Sequence, residues 1–295
     1  MGVHGFIDLV KTAAIQWWSD NVFRLSASVA FYTIFSLAPL ILICLAIAGA
    51  VFGEERATRH LVAQVEALVG SRGGNAVEEV ASGLRTEGGG VLAAVLGAVT
   101  VLVGSTAVFA EMQASLNQIW RVEPNPRYGL VGGFVRDRLL SFALVLTVGF
   151  LLVVSLVTSA VLAMVNEHLT YLVPRFDALW QVLDLALSFA FVTTLFMMIY
   201  RILPDVELTW RDVFIGSLVT AVLFTGGKYL IGMYLGRAAF ASYYGAAGSF
   251  VVLLVWVYYS ALISFFGAEF THVYALRYGS GLIPEDHAHS ADEPG

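Results

Sequence analysis

The sequence predicts an all-α integral membrane protein with six transmembrane helices in one bundle. Two observations lead to this fold class. The 295 residues are 58% hydrophobic and only 13% charged, whereas soluble domains carry about 25% charged residues. The chain also contains six long, almost charge-free runs, each long enough for a helix to cross about 30 Å of hydrocarbon. Backbone groups in lipid must be satisfied internally, so continuous apolar runs of this length predict helices.

The predicted spans follow one another along a single membrane domain, residues 1–276. They cover residues 27–52, 91–110, 139–165, 179–203, 213–235 and 247–272. The fourth span contains Asp184, the fifth contains Lys228, and the sixth ends near Glu269.

The distribution of Lys and Arg predicts that both termini are cytoplasmic. If the N-terminus is inside, the inner side holds nine basic residues: Lys11, Arg24, Arg121, Arg127, Arg136, Arg138, Arg201, Arg211 and Arg277. The outer side holds six, and four of these share one loop with six Glu residues. Cytoplasmic loops are the ones enriched in Lys and Arg.

Three segments outside the spans have their own patterns. Residues 6–18 carry apolar residues at helical spacing and end in Trp17 and Trp18, which predicts an N-terminal interfacial helix. Residues 54–87 are amphipathic and predict short external helices. Residues 277–295 are rich in Gly, Pro, His and acidic residues, which predicts a disordered C-terminal tail.

The sequence offers no support for an enzyme, and we expect no metal and no cofactor. Gly226-Gly227-Lys228-Tyr229 lacks the spacing and the Ser or Thr of a phosphate loop and falls inside a span. The six histidines do not form a zinc motif, and the single Cys44 leaves no Cys-based site. A pI near 5.5 without a basic block argues against a nucleic-acid partner.

Polar residues near the inner ends of several spans predict a cytoplasmic polar vestibule. Its candidate residues are Arg24, Glu111, Asn117, Arg201 and Glu269. Small or polar residues continue the face of Glu111, from Thr100 to Gln118, and either allow close helix packing or line a cavity. Carboxylates that simply pair with Arg at the interface are the alternative explanation for the whole group.

A second candidate site is an ion pair in the outer half of the membrane. Asp184 and Lys228 fall at similar predicted depth on consecutive spans, and each charge is expensive to insert alone. Two alternatives stay open: Lys228 can extend to the outer interface, or the charges can bind an anionic solute.

Helix breaks are predicted at Pro39 in the first span and at Gly226 and Gly227 in the fifth. Broken helices mark substrate sites in many transporters, although kinks without a function are also common.

Four stretches, in order along the chain, resemble motifs of the YihY/BrkB family. They are residues 21–40, 115–120, 200–206 with 210–213, and 242–249 with 251–260 and 266–270. The matching positions include Arg24, Tyr32, Pro39, Asn117, Trp120, Arg201, Pro204, Asp205, Trp210, Lys228, Tyr244, Gly245 and Glu269. The resemblance implies a six-helix bacterial inner-membrane protein that is suspected of transport or export. Some family members carry the name ribonuclease BN, but this sequence contains no metal-ligand cluster that would support a nuclease.

Together these features favour an inner-membrane transporter or exporter of a small or amphipathic solute, anionic or lipid-like. Without an ATP-binding motif, such a protein is not ATP-driven by itself. The alternative is a non-transporting scaffold or regulator of envelope assembly. The expected partners are the lipid bilayer, the unidentified solute and, as an open question, further copies of the chain in a homo-oligomer.

Overall fold

The structure of the protein is a computed structural model. It describes residues 3–33, 49, 53–69, 74–75, 78, 107–124, 177–237, 248–279, 281, 283–284 and 288–290. The helices of this part are α1 (Val3–Ser19), α2 (residues 22–33), α3 (Glu54–Val69), α4 (residues 107–119), α5 (Asp177–Ile202), α6 (Trp210–Arg237) and α7 (Gly248–Tyr278). The strands are β1 (Val122–Pro124), β2 (Val206–Glu207), β3 (Ile283–Pro284) and β4 (Ala288–Ser290).

Three of these helices are long and apolar enough to cross a membrane. The qualifying segments are Leu185–Ile202 in α5, Trp210–Ile231 in α6 and Val251–Tyr278 in α7. They coincide with the fourth, fifth and sixth predicted spans. Residues 27–33 and 107–110 of the first and second predicted spans are helical, while the rest of those spans and all of the third lie outside the described residues. A single bundle of six spans therefore stays a prediction.

The helices pack around small residues. α6 contacts both α5 and α7, and α1 lies against α7. A Cβ atom on Gly267 of α7 would overlap the hydroxyl of Thr220 on α6, and one on Gly216 would overlap Thr271. Glycines thus let α6 and α7 approach closely, which is how helices in lipid gain packing contacts.

The glycine pair in α6 does not break the helix, so that prediction is corrected. α6 continues without interruption from Trp210 to Arg237, through Gly226 and Gly227. A Cβ on Gly227 would lie 2.7 Å from Ile263 Cδ1, whereas one on Gly226 meets nothing within 4 Å. Gly227 allows α7 to come close, and Gly226 leaves open space beside the helix. Pro39 lies outside the described residues.

The N-terminal helix forms as the sequence predicts and is fastened to the end of α7. Leu9 and Ala13 pack against Phe270 and Tyr274 in a buried apolar cluster. Arg277 near the end of α7 pairs with Asp8 and donates a second hydrogen bond to Thr12 Oγ1 at 3.1 Å. Apolar side chains on the opposite face of α1, including Ile7, Ile15 and Trp18, are exposed, as expected for a helix that contacts lipid.

The external segment begins as predicted. α3 accounts for the first amphipathic stretch, residues 54–69. Residues 74, 75 and 78 are also helical, and the rest of residues 70–87 lies outside the described residues.

The prediction of a disordered tail over residues 277–295 is wrong at two places. β3 pairs antiparallel with β2, so that Ile283 lies opposite Glu207. β4 pairs antiparallel with β1, so that His289 lies opposite Glu123. The partners β1 and β2 directly follow α4 and the loop after α5, and their unpaired edges accept the tail.

Candidate functional site: a buried polar centre beside an apolar groove

The first part of the site is the carboxyl group of Glu269 in α7. This side chain is 0% exposed, and within the described residues neither of its carboxyl oxygens makes a hydrogen bond of normal length and angle, although the Asp20 side chain lies close enough to interact with it. His272 follows one turn later and places Nδ1 3.9 Å from Glu269 Oε2, beyond hydrogen-bond distance. An ionised carboxylate taken out of water costs several kcal/mol unless it is compensated. Glu269 is therefore a candidate functional residue of a membrane protein.

Two charged groups from other helices act on Glu269 in opposite directions. Asp20, at the junction of α1 and α2, repels its negative charge, and Arg121, just after α4, attracts it. Both junctions turn sharply, because Asn21 and Arg121 have φ values of 54° and 53°. Gln118 Nε2 donates to the Asp20 carbonyl at 3.2 Å, which ties the two junctions together. We define Asp20, Arg121, Glu269 and His272 as the polar centre.

A second buried polar group lies around Asp205, in the loop between α5 and α6. Asn117 Nδ2 donates to Asp205 Oδ2 at 2.8 Å, and Gln113 Nε2 donates to Asp205 Oδ1 at 3.2 Å. The backbone N–H of Asp205 donates back to Asn117 Oδ1 at 3.0 Å. All three side chains are buried. This set of hydrogen bonds fixes the end of α4 against the loop.

Tyr200 joins the helices in the adjoining layer. Its hydroxyl donates to the Ser264 carbonyl at 2.6 Å and lies 3.1 Å from Thr220 Oγ1. Its ring makes an edge contact with Trp120, with 6.2 Å between centroids. α4, α5, α6 and α7 are thereby held at one level.

An apolar groove of about 480 Å³ lies between α6 and α7. Gly226 and Gly227 form part of its wall, together with Tyr259 and Phe266, and Trp17 of α1 lies at one end. A smaller groove of about 380 Å³ lies between α5 and α6 and shares Val222 and Gly226 with the first. The larger volume is within the range of sites that bind small molecules.

The groove ends beside the polar centre. Phe266 precedes Glu269 by three residues on α7, so the two share a helix face. Trp17 lies on the last turn of α1, and Asp20 follows it by three residues, just beyond the end of that helix. Trp17 and Phe266 have ring centroids 6.5 Å apart, and Trp17 Nε1 donates to the Leu262 carbonyl at 3.2 Å. An apolar surface and a set of ionisable groups thus meet within one helical turn.

The five vestibule candidates fall into different surroundings. Asn117 belongs to the Asp205 group, and Glu269 belongs to the polar centre. Glu111 is half-buried and Arg24 is exposed. Arg201 places its guanidinium carbon 5.8 Å from the centroid of the Trp210 ring. The described contacts do not join all five, and the vestibule stays a prediction.

The outer ion pair also stays a prediction. Asp184 lies in α5, but its side chain is outside the described residues. Lys228 is half-buried and places Nζ 5.2 Å from the centroid of the Tyr229 ring.

The sequence alone does not identify several residues of the site. Asp205 follows Pro204 in a stretch that resembles the family, and this position could have identified it. Asp20 and His272 have no such signal, because they become relevant only where α1, α4 and α7 meet. Trp17 was predicted as an interfacial anchor, and its position at the groove adds a second role.

The family model described as Virulence factor BrkB matches residues 13–292. The chain belongs to the BrkB family. Among its relatives is a UPF0761 membrane protein of Rhodospirillum centenum, 30% identical over 274 residues, which cover 90% of this chain and 57% of the relative. One from Alcanivorax borkumensis is 26% identical over 266 residues, covering 90% of this chain and 58% of that protein.

A UPF0761 membrane protein of Klebsiella pneumoniae is 33% identical over 183 residues, which are 60% of this chain and 58% of that protein. The matches thus extend over little more than half the length of these relatives. No solved structure has a significant match to this BrkB-family chain. The family and the apolar helices agree that it is a membrane protein.

Proposed function

We propose that this BrkB-family protein transports or exports an amphipathic solute across the bacterial inner membrane. The observation that carries the proposal is the apolar groove that ends one helical turn from the polar centre. A solute with an apolar tail would place the tail along Gly226 and Gly227. Its polar head would then reach Asp20, Arg121 and Glu269, which offer both signs of charge.

The surroundings of the groove support a passage through the membrane. Apart from its two glycines, its lining residues are apolar and aromatic, and the ionisable groups that could hold a polar head lie beyond it, in the polar centre. The sequence contains no ATP-binding motif, so movement would follow a gradient or depend on a partner.

The proposed orientation has both termini in the cytoplasm. The Asp8–Arg277 pair supports an even number of spans, since it keeps α1 and the end of α7 on one side. We expect reporter fusions after Gly70 to behave as external, and fusions after Arg127 or Arg277 to behave as cytoplasmic. Alkaline phosphatase and green fluorescent protein fusions measure this, and a cytoplasmic signal after Gly70 would contradict the orientation.

The groove can be tested by filling it. A phenylalanine at Gly226 meets no atom within 4 Å at its Cβ, so the ring is expected to enter the groove while the fold is kept. We expect Gly226→Phe to lose transport and to remain as abundant in the membrane as wild type. Met233→Phe is the matched control, because Met233 is exposed on the same helix and is not among the residues that line the groove.

The measurement compares exported and retained metabolites and lipids in cells that lack the protein or carry each variant. A solute retained without the protein should also be retained with Gly226→Phe, and exported with Met233→Phe. If no solute class differs between cells with and without the protein, the transport proposal is wrong. If cells that lack the protein have a membrane defect, and Gly226→Phe corrects it as fully as wild type does, a scaffold role is favoured instead.

A further inference from the structure

Glu269 differs from the other acidic side chains that the structure describes. Asp8 pairs with Arg277, and Asp205 accepts hydrogen bonds from two amides. Glu269 combines complete burial with two carboxyl oxygens that make no hydrogen bond of normal geometry within the described residues, and its nearest acidic neighbour is the Asp20 side chain. A carboxyl that is buried without a normal hydrogen bond is not stabilised as an anion, so its surroundings suit a carboxyl that carries a proton for part of the time.

Resting on the proposed transport, we infer that Glu269 is a proton-binding site that couples solute movement to a proton from the cytoplasm. The groove ends one turn away, so the head of a solute and the proton would share the polar centre. Binding of the proton then changes the charge near the solute head, and binding of the head changes the charge near the proton site.

The charged and titratable groups near Glu269 come from several segments. α1 contributes Asp20, the segment after α4 contributes Arg121, and α7 itself contributes His272. α6 faces this stretch of α7 with uncharged Gly216 and Thr220, and its buried Asp212 lies one turn further along, beside Gly279. α5 contributes Tyr200, whose hydroxyl is bonded to the Ser264 carbonyl. α3 contacts the opposite end of α7, near Val252.

Asp20 connects this buried group to the surface. It is half-buried, and the exposed Ser19 hydroxyl donates to its Oδ1 at 3.3 Å. When a proton moves from the protein surface to the buried site, the O–H bond of protonated Asp20 breaks and an O–H bond forms on the Glu269 carboxylate. The negative charge moves to Asp20, where water and Ser19 stabilise it, and the total charge of the pair is unchanged.

Infrared difference spectroscopy of the full chain in nanodiscs tests the proton site without a solute. We expect wild type to show the carbonyl band of a protonated carboxyl that changes with pH and shifts in D₂O. Glu269→Gln, which is neutral and of similar size, should lose this band. Glu66→Gln on the exposed face of α3 is the control and should keep it. A band that survives in Glu269→Gln, or that is absent from wild type, would overturn the inference.

The proposed path predicts the behaviour of one further variant. Asp20→Asn should keep the band but slow its shift after transfer to D₂O, because the inward route has lost its carboxyl group. Thermal melting of each variant in detergent shows that the fold is kept. A shift as fast as that of wild type would exclude Asp20 as the entry point.

Coupling is tested in proteoliposomes with a fluorescent single-chain phospholipid as the probe. With wild type, an imposed pH gradient should change the rate of probe movement, whereas Glu269→Gln should not respond. Probe movement by wild type that ignores the gradient overturns the coupling and leaves transport standing. Failure of wild type to move the probe counts against the proposed function, and the infrared measurement still decides whether Glu269 exchanges a proton.

Discussion

Asn117→Ala is expected to destabilise the protein by about 3 kcal/mol. Asn117 makes two hydrogen bonds to Asp205, one to the carboxylate at 2.8 Å and one from the backbone N–H at 3.0 Å. Alanine removes both and leaves the buried carboxylate with one amide fewer to stabilise its charge. Buried charges that lose a partner account for many of the largest effects of single substitutions.

The neighbouring Gln118 provides the control for this prediction. Its side chain is exposed, and its one described hydrogen bond, to the Asp20 carbonyl, is also exposed. Gln118→Ala should therefore change stability by no more than about 0.5 kcal/mol. Unfolding by sodium dodecyl sulfate in mixed micelles measures both variants, and equal losses would contradict the role of Asn117.

A double variant separates the lost contacts from other effects of the substitution. In Asp205→Ala the carboxylate is gone, so removing Asn117 as well should cost less than it does in the wild type. The losses of the two single variants should exceed the loss of the double variant by more than about 1 kcal/mol. Strict additivity would show that Asn117 acts through something other than Asp205.

The sequence predicts the helices well because their signal is local. α5, α6 and α7 each contain a long apolar run, and such a run has few alternatives to a helix in lipid. α1 was predicted for the same reason, since its apolar residues recur at helical spacing before Trp17 and Trp18. The bounds agree to within a turn at most ends.

The errors arise where structure depends on distant partners. Nothing in residues 283–290 indicates strands, because β3 and β4 form only through the edges of β2 and β1. The glycine pair in α6 looked like a break, but Gly227 instead makes room for Ile263 of α7. Both outcomes depend on which segments become neighbours in space.

For the same reason, the sequence predicts only part of the candidate site. Asn117 and Glu269 stood out because they are polar residues close to predicted spans. Asp20 could not be connected with Glu269 without knowing that the end of α1 lies beside α7. The groove forms where three helices meet beside Gly226, whose Cβ position has no atom within 4 Å. No single stretch of sequence shows such an arrangement.

Gly267→Ala is the second substitution with a large expected effect, a loss of about 3 kcal/mol. A methyl group there would overlap Thr220 Oγ1 and come within 2.6 Å of the Tyr200 hydroxyl. That hydroxyl is buried and bonded to the Ser264 carbonyl at 2.6 Å. Alanine would therefore force α6 and α7 apart or displace Tyr200 from its partners. The loss outweighs the gain of about 1 kcal/mol that alanine brings to a helix.

Gly226→Ala is the matched control, because a Cβ there meets nothing within 4 Å and the helix should become slightly more stable. Adding Thr220→Ala to Gly267→Ala removes the nearest atom and should restore part of the lost stability. Thermal melting in detergent compares the three variants. If Gly267→Ala is tolerated as well as Gly226→Ala, α6 and α7 are further apart than the Thr220–Gly267 contact requires. The rescue by Thr220→Ala would then be absent too, because no overlap would need relief.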